Sequence, residues 1–207
     1  MARFLVTAGP TREAIDPVRF LSNRSSGKMG YAICEALVTA GHEVLLVSGP
    51  TCLPVPIGVE AVQVESAWQM LEACQKSWSS CDALIAVAAV SDYRPSKTQQ
   101  QKIKSSSEVL TIELEANPDI VKTLAATKGK RLVVGFALES ENGEGYARKK
   151  LDSKGLDLIC LNAPSAQGAD ASQLLILSPT SRYPLGPCAK SVLATELVEY
   201  ILTNNDV

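Results

Sequence analysis

The segment from residue 3 to residue 39 reads RFLVTAGPTREAIDPVRFLSNRSSGKMGYAICEALVT. Residues 3–7 form an apolar stretch that predicts a β-strand, and residues 31–39 predict an α-helix. The polar, glycine-containing loop between them ends at a helix N-terminus, where backbone N–H groups and the helix dipole favour an anion. The segment therefore predicts an α/β protein that holds a phosphate or a carboxylate at the start of its first helix.

The loop contains the candidate residues for this anion site. Glycines let the backbone approach a ligand closely, and serine and lysine side chains supply hydrogen-bond donors. The pattern is neither G-x-G-x-x-G nor a Walker A motif, because its glycines are too sparse for the first and the leading glycine of the second is missing. The pattern does not identify the ligand, and an ordinary strand–helix loop without a ligand is the alternative. The candidate anion-binding residues are Gly9, Ser25, Ser26, Gly27 and Lys28.

Composition limits the class of protein. A chain of 207 residues is long enough for one large domain, and we expect a single domain over residues 1–207. A formal net charge of −2 argues against nucleic acid as the main partner. No apolar run reaches the roughly 18 residues of a membrane span, and the N-terminus does not resemble a signal peptide. We therefore expect a cytoplasmic protein that binds neither nucleic acid nor membranes.

Cysteine and histidine offer little to catalysis. None of the six cysteines forms a C-x-x-C pair, so we expect reduced thiols that pack as small apolar groups rather than a zinc site. The one histidine, His42, lies in a predicted helix-to-strand turn. Chemistry at this protein's site must therefore rest on lysines, carboxylates, amides, backbone donors or a metal.

Predicted strands and helices alternate along the chain. The run at residues 83–90 is apolar throughout, which is typical of a central parallel strand buried on both faces. Asn117 is the predicted N-cap of a short helix, with Pro118 at its first position. The other predicted strands are residues 43–48, 59–64, 110–114, 132–136, 156–161 and 173–177, and the other helices are residues 67–77, 145–153 and 189–202. This order predicts a Rossmann-like three-layer sandwich with a mostly parallel central sheet, which binds ligands beyond the carboxyl ends of its strands.

Polar and basic residues follow the buried strands. Asp92 comes just after the apolar run, where such folds place a carboxylate for a metal or a ribose. Residues 96–107 form a polar loop that carries Lys102; loops of this length are functional or disordered. We expect a flexible loop whose lysines could close over a polyphosphate, with a solvated surface loop as the alternative. Lys150 and Lys154 are four residues apart and share one face of a helix.

Taken in order, these motifs resemble one enzyme family. They are TAGPTRE (7–13), DPVR (16–19), SN followed by SSGKMG (22–30), AAVSDYR (88–94), KIK (102–104), NPDIV (117–121) and GFA (135–137). The chain resembles the phosphopantothenoylcysteine synthetases, the ligases of coenzyme A biosynthesis, over nearly its whole length. Because bacterial members are often fused to a flavin-dependent decarboxylase, we expect a stand-alone synthetase or an excised domain.

The resemblance implies a two-step ligation in a homodimer. The carboxylate of 4′-phosphopantothenate attacks the α-phosphate of CTP, pyrophosphate leaves, and an acyl-cytidylate forms. The amino group of L-cysteine then attacks the activated carbonyl, and CMP departs. Mg²⁺ is expected with the triphosphate, held mostly by phosphates and water rather than by protein ligands.

The resemblance also implies residue roles. Asn23 handles the activated intermediate as an amide donor, Arg19 acts nearby, and Lys102 neutralises charge on the transferred phosphoryl group. The implied nucleotide-binding residues are Ala86, Val87, Ala88, Asp92, Lys102, Asn117, Pro118, Asp119, Ile120, Phe136, Lys150 and Lys154.

One departure and two alternatives stay open. Ser105 stands where the family often has a further lysine. A nicotinamide- or flavin-binding oxidoreductase would need denser glycines and an acidic residue at the end of the second strand, where this chain has Ser48. A nucleotide-sensing module without catalysis should lack Lys102 and Asn23, and both are present.

Overall fold

The computed structural model describes residues 1–105, 109–139, 142–162 and 171–205. Five helices lie in this part of the chain: α1 (Lys28–Thr39), α2 (Ala67–Trp78), α3 (Ile120–Ala125), α4 (Gly143–Lys154) and α5 (Lys190–Asn204). The strands are β1 (Arg3–Ala8), β2 (Arg12–Ala14), β3 (Phe20–Ser22), β4 (Glu43–Ser48), β5 (Glu60–Gln63), β6 (Ala83–Ala86), β7 (Tyr93–Pro95), β8 (Leu114–Ala116), β9 (Leu132–Leu138), β10 (Leu158–Asn162), β11 (Ala171–Leu177) and β12 (Arg182–Ala189).

Eight of these strands form one sheet in the order β12-β11-β10-β9-β6-β1-β4-β5. The strands from β10 to β5 in this order are mutually parallel, whereas β11 and β12 continue the sheet antiparallel. After β5 the chain returns to the opposite side of β1 to form β6, so the strand order reverses between β1 and β6. Doubly wound sheets bind their ligands in the crevice at such a reversal.

Helices cover both faces of the sheet. Phe4 and Val6 of β1 pack in one hydrophobic cluster with residues of α1 and α5. Leu5, between them, packs in a second cluster with residues of α2, α3 and α4. Because successive side chains of a strand point to opposite faces, uninterrupted apolar runs such as β1 supply both clusters. The predicted three-layer sandwich with a mostly parallel sheet is confirmed.

Several strands differ from the predicted ones. The apolar run at residues 83–90 is a strand only as far as Ala86, and a single parallel bridge then joins Ala89 to Pro10. The strand predicted at residues 110–114 begins only at Leu114 and pairs with β7 in a separate two-stranded sheet. The sequence does not predict β12, because prolines and a glycine interrupt it; such residues are tolerated at the edge of a sheet, where β12 lies.

The predicted N-cap of the short third helix is wrong. Helix α3 begins at Ile120, and Asp119 caps it by accepting a hydrogen bond from the Lys122 backbone N–H at 3.0 Å. The Asn117 side chain instead donates to the Ser91 carbonyl oxygen at 2.9 Å. Both residue types can cap a helix, and the contact of Asn117 with Ser91, in the segment after β6, decides between them.

Most of the cysteines, and the single histidine, pack against other parts of the protein. All six cysteines are free, and Cys34, Cys74, Cys81 and Cys160 are buried. Burial raises the pKa of the Cys34 and Cys74 thiols to about 12, so these groups stay protonated. His42 accepts a hydrogen bond from the Ala2 backbone N–H at 3.2 Å and packs edge-on against Phe4.

No helix in the described part of the chain has the length and apolar character needed to cross a bilayer.

Candidate functional site: a cationic cavity at the strand-order reversal

A cavity of about 640 Å³ opens beyond the carboxyl ends of β1, β6 and β9. Its wall combines four segments: the loop before α1, the residues that follow β6, the start of α3, and one face of α4. It lies where the strand order reverses, as the sequence predicts for this fold. Its volume is within the range of small-molecule sites.

The loop before α1 packs closely against the sheet. Gly27 has a left-handed backbone (φ 77°) immediately before the first residue of α1, a conformation that favours glycine. A Cβ atom on Gly30 would lie 2.5 Å from the Cβ of Ala8, so a side chain there would push α1 away from β1. These glycines therefore bring the N-terminus of α1 against the end of β1, with the backbone N–H groups of its first turn at the cavity.

The segment after β6 is held by two residues from the stretch between β1 and α1, Thr11 and Asn23. The Thr11 hydroxyl, fully buried, accepts from the Ser91 backbone N–H at 2.9 Å. The Asn23 amide nitrogen donates to the carbonyl oxygens of Ala89 and Val90, both at 3.1 Å. The predicted role of Asn23, donation to an acyl carbonyl, therefore requires that one of these hydrogens be released to the ligand.

Asn117 ties the start of α3 to the same segment. Its backbone N–H donates to the Asp92 carbonyl oxygen at 2.8 Å, and its Oδ1 accepts from Arg94 at 3.1 Å. Because its amide nitrogen donates to the Ser91 carbonyl oxygen, both polar atoms of the Asn117 side chain are hydrogen-bonded within the protein. Asn117 thus aligns the backbone of residues 118–120 along the cavity.

Two lysines of α4 reach the cavity from the opposite side. Lys150 Nζ lies 2.6 Å from Glu139 Oε1, and Lys154 Nζ lies 3.0 Å from Asp119 Oδ2. Both lysines line the cavity, and they share one face of α4 as their i, i+4 spacing predicts. The carboxylates hold the ammonium groups at the cavity wall.

Charge in the cavity differs in sign from that of the whole chain. The formal net charge of the protein is −2, yet cationic side chains outnumber carboxylates among the described residues that line the cavity. The cations are Arg24, Lys28, Lys150, Lys154 and Lys190, and the carboxylates are Asp92 and Asp119. Clefts lined by one sign of charge concentrate ligands of the opposite sign, so this cavity suits a polyanion.

Most predicted site residues meet in this cavity. It is lined by Gly9, Asn23, Ser25, Ser26, Gly27, Lys28, Ala86, Val87, Ala88, Asp92, Asn117, Pro118, Asp119, Ile120, Phe136, Lys150 and Lys154. Arg19 and Lys102 are not among the lining residues. Arg19 lies in the turn between β2 and β3 and donates from Nη2 to the Ile103 carbonyl oxygen at 2.8 Å. Residues 106 and 107, the end of the predicted polar loop, lie outside the described residues.

Five polar residues of the wall were not among the predicted site residues: Thr7, Arg24, Ser91, Asn162 and Lys190. Thr7, Arg24 and Ser91 lie inside or beside the quoted motifs, so that position was the available signal. Asn162 ends β10 and Lys190 begins α5. Asn162 and Lys190 are connected through the antiparallel strands β11 and β12, whose pairing brings both residues to the cavity. Because this pairing is tertiary, no local sequence pattern predicts either residue as part of the site.

The described residues contain no group of three or more histidine, cysteine or acidic side chains that could hold a metal ion. Of the two carboxylates in the cavity wall, Asp119 is already paired with Lys154. A metal that enters with a phosphate ligand would therefore depend on phosphate and water oxygens, with Asp92 as the available carboxylate.

The fold and this cavity define an α/β protein of the doubly wound class with a cationic cavity at its strand-order reversal. The chain belongs to the family described as the DNA/pantothenate metabolism flavoprotein C-terminal domain, whose pattern matches residues 1–204. The resemblance drawn from the ordered motifs is thereby confirmed at the level of the family.

Known proteins similar to this chain support the same assignment. The coenzyme A biosynthesis bifunctional protein CoaBC of Vibrio cholerae is 45% identical over 206 residues, which cover 96% of this chain and 52% of that protein. The chain thus spans about half the length of the curated relatives it matches. A crystal structure of the C-terminal domain of a CoaBC is 44% identical, with a TM-score of 0.85, and the match covers 98% of this chain and 94% of that one.

A more distant structure shares the fold alone. A mutant of Cab2 in complex with phosphopantothenate-cysteine matches with a TM-score of 0.83 at 16% identity, over 98% of this chain and 85% of that one.

Proposed function

We propose that this chain is a phosphopantothenate–cysteine ligase that uses CTP. The observation that carries the proposal is that one cavity joins the N-terminus of α1 to the lysine pair Lys150 and Lys154. A reaction between a triphosphate and a second phosphorylated substrate needs two anion-binding ends in a single space. Further support comes from the CoaBC relatives, whose name assigns them to coenzyme A biosynthesis.

The proposed reaction has two steps. A carboxylate oxygen of 4′-phosphopantothenate forms a bond to the α-phosphorus of CTP, the bond from that phosphorus to the bridging oxygen breaks, and pyrophosphate leaves. The L-cysteine nitrogen then bonds to the activated carbonyl carbon, CMP leaves with the electrons of the broken C–O bond, and the nitrogen loses a proton. No electrons are exchanged, so the reaction needs no redox cofactor.

The residues divide between the two substrates. Lys150 and Lys154 bind the triphosphate, the backbone of residues 118–120 and Phe136 bind the nucleoside, and Asp92 contributes a carboxylate. The α1 loop, with Ser25, Ser26, Gly27 and Lys28, binds the phosphate of the second substrate next to Gly9. Lys102 neutralises charge on the transferred phosphoryl group, while Asn23 and Arg19 act on the intermediate.

Mg²⁺ and a second copy of the chain complete the proposal. Mg²⁺ offsets charge on the triphosphate and is held chiefly by its oxygens, because the cavity wall offers few free carboxylates. A homodimer is favoured because β12 is an edge strand, whose free N–H and C=O groups invite pairing. Buried, protonated thiols suit the reducing cytoplasm, where we expect the enzyme to work.

Pyrophosphate release by the purified protein tests the proposal. The assay contains 4′-phosphopantothenate, Mg²⁺ and L-cysteine and compares CTP with ATP. We expect release that requires 4′-phosphopantothenate and is faster with CTP. Faster release with ATP would keep the ligase and overturn the choice of nucleotide. Nucleotide binding without release under any of these conditions would instead support a nucleotide-sensing module.

A further inference from the structure

Arg19 and the chain segment that carries Lys102 contact each other outside the cavity. Arg19 occupies the turn between β2 and β3, and the segment with Lys102 runs past this turn. Two contacts fasten the start of that segment: the Gln99 backbone N–H donates to the Ile15 carbonyl oxygen at 2.9 Å, and the Thr98 hydroxyl donates to the Ala14 carbonyl oxygen at 3.1 Å. The position of Lys102 therefore depends on the β2–β3 turn.

Asp16 lies at the centre of this contact, and its side chain is fully buried. Oδ1 accepts from the backbone N–H groups of Val18 and Arg19, both at 2.8 Å, which closes the turn. Oδ2 accepts from the Ile103 backbone N–H at 3.1 Å and lies 3.6 Å from Arg19 Nη1. One carboxylate thus uses one oxygen for the turn and the other for the lysine segment and the guanidinium.

Ile103, the neighbour of Lys102, is held by both of its backbone groups. Asp16 accepts from its N–H, and Arg19 donates to its carbonyl oxygen at 2.8 Å. The side chains of Asp16 and Arg19 thus provide the hydrogen-bond partners for the backbone N–H and C=O groups of Ile103, which lies outside any strand. The two residues fix the backbone next to Lys102, although they are more than eighty positions away in the chain.

We propose that Asp16 is a positioning residue for the ligase reaction: it clamps the backbone of the Lys102 segment and the Arg19 guanidinium into one unit. The inference rests on the proposed function. Asp16 does not line the cavity and touches no substrate; it acts through Lys102 and Arg19. Loss of the clamp therefore slows the step that uses Lys102 and leaves nucleotide binding in the cavity largely intact.

The variant Asp16→Asn separates the two uses of the carboxylate. Asparagine keeps an oxygen for the N–H groups of Val18 and Arg19, so the turn can close as before. Its NH₂ group then takes the place of Oδ2 and faces two donors, the Ile103 N–H and the Arg19 guanidinium. We expect pyrophosphate release to slow about 10- to 100-fold, the effect of a catalytic group misplaced by ~1 Å. The dissociation constant for CTP should change by less than about threefold, within normal variation for a residue outside the site.

A double-mutant cycle tests whether Asp16 acts through Lys102. We expect Lys102→Gln and the double variant with Asp16→Asn to release pyrophosphate at the same rate, because an absent ammonium group cannot be misplaced further. Rate losses that multiply in the double variant would overturn the proposal. So would a wild-type rate for Asp16→Asn.

A second variant and a second readout distinguish loss of the clamp from misfolding and from failure of the proposed function. Ile103→Pro removes the N–H donor from the loop side without touching the turn, and it should reproduce the rate loss. Trypsin should cleave after Lys104 faster in both variants than in the wild-type protein, whether or not the protein is a ligase. Cleavage after Lys102 is compared between Asp16→Asn and the wild-type protein alone, because trypsin does not cleave the Lys–Pro bond of Ile103→Pro. Unchanged cleavage would overturn the clamp, whereas absence of pyrophosphate release by wild-type protein would overturn the proposed function instead.

Discussion

Lys154 Nζ lies 3.0 Å from Asp119 Oδ2, and this ion pair joins the last turn of α4 to the N-cap of α3 at the cavity wall. Asp119 also accepts from the Lys122 backbone N–H. The carboxylate therefore stabilises the helix start that the nucleotide is proposed to contact, and it holds a lysine that the triphosphate is proposed to bind.

Removal of the Lys154 charge should weaken nucleotide binding. We expect Lys154→Gln to raise the dissociation constant for CTP by about 10- to 100-fold, because a charge-assisted hydrogen bond contributes about 1.5–3 kcal/mol. The matched control is Lys149→Gln on the same helix, since Lys149 is exposed and stacks on Tyr146. Isothermal titration calorimetry measures both; equal affinities in the two variants would remove Lys154 from the nucleotide site.

A negative charge at Asn23 should impair the second step of the reaction. In Asn23→Asp a carboxylate replaces the amide that now lies 3.1 Å from the carbonyl oxygens of Ala89 and Val90, so like charges meet and the donor to the intermediate is lost. We expect amide formation to fall by about 100-fold or more, as on loss of an oxyanion-hole donor. Asn204→Asp, at the C-terminal end of α5, makes the same charge change away from the cavity. Single-turnover product analysis compares the two, and wild-type amide formation by Asn23→Asp would contradict the role.

Gly30 should tolerate no side chain. A Cβ there would lie 2.5 Å from the Ala8 Cβ, and overpacking of this kind costs about 1–3 kcal/mol. Gly145 is also the third residue of its helix, but the nearest described atoms to a Cβ on it belong to the Asn142 side chain, which can rotate away. Thermal unfolding should therefore show a lower midpoint for Gly30→Val than for Gly145→Val, and the reverse order would argue against close packing of α1 on β1.

Buried thiols should resist alkylation. Because burial raises the pKa of Cys34 and Cys74 to about 12, roughly one thiol in ten thousand is a thiolate at pH 8, and the thiolate is the reactive form. Iodoacetamide should modify the exposed Cys52 in the folded protein and all six cysteines in denaturant. Mass spectrometry of tryptic peptides measures this; equal rates at Cys34 and Cys52 in the native state would refute the burial.

The Asp16 clamp should persist in mild acid. Burial alone would raise the pKa of Asp16, but hydrogen bonds from the N–H groups of Val18, Ile103 and Arg19, with the Arg19 charge, outweigh it and hold the pKa below the ordinary 3.8. A carboxyl with a depressed pKa in the folded state stabilises that state above its unfolded pKa, and the contribution is lost as the pH falls through the folded pKa. The NMR shift of the Ile103 amide should therefore titrate with a midpoint below 3.8. A higher midpoint would contradict the clamp geometry.

Local patterns were sufficient for much of the fold. Apolar runs such as residues 3–7 predicted the buried strands, because a central parallel strand must be apolar on both faces. Helix periodicity predicted that Lys150 and Lys154 share a face, and the loop before α1 predicted an anion site. Strand β12 was not predicted, because its prolines and glycine are tolerated only by its edge position. The N-cap of α3 was predicted wrongly, because a long-range contact of Asn117 overrides local preference.

The sequence by itself determined the doubly wound sheet and the family, since each depends on neighbours in the chain or on motif order. Only the tertiary structure decided that Lys190 joins the cavity wall, that Arg19 and Lys102 lie outside it, and that Asp16 binds the lysine segment. These facts depend on how strands and loops far apart in sequence meet. Hydrogen-bond partners more than eighty positions apart leave no periodic signal, because the geometry that joins them exists only once the chain has folded.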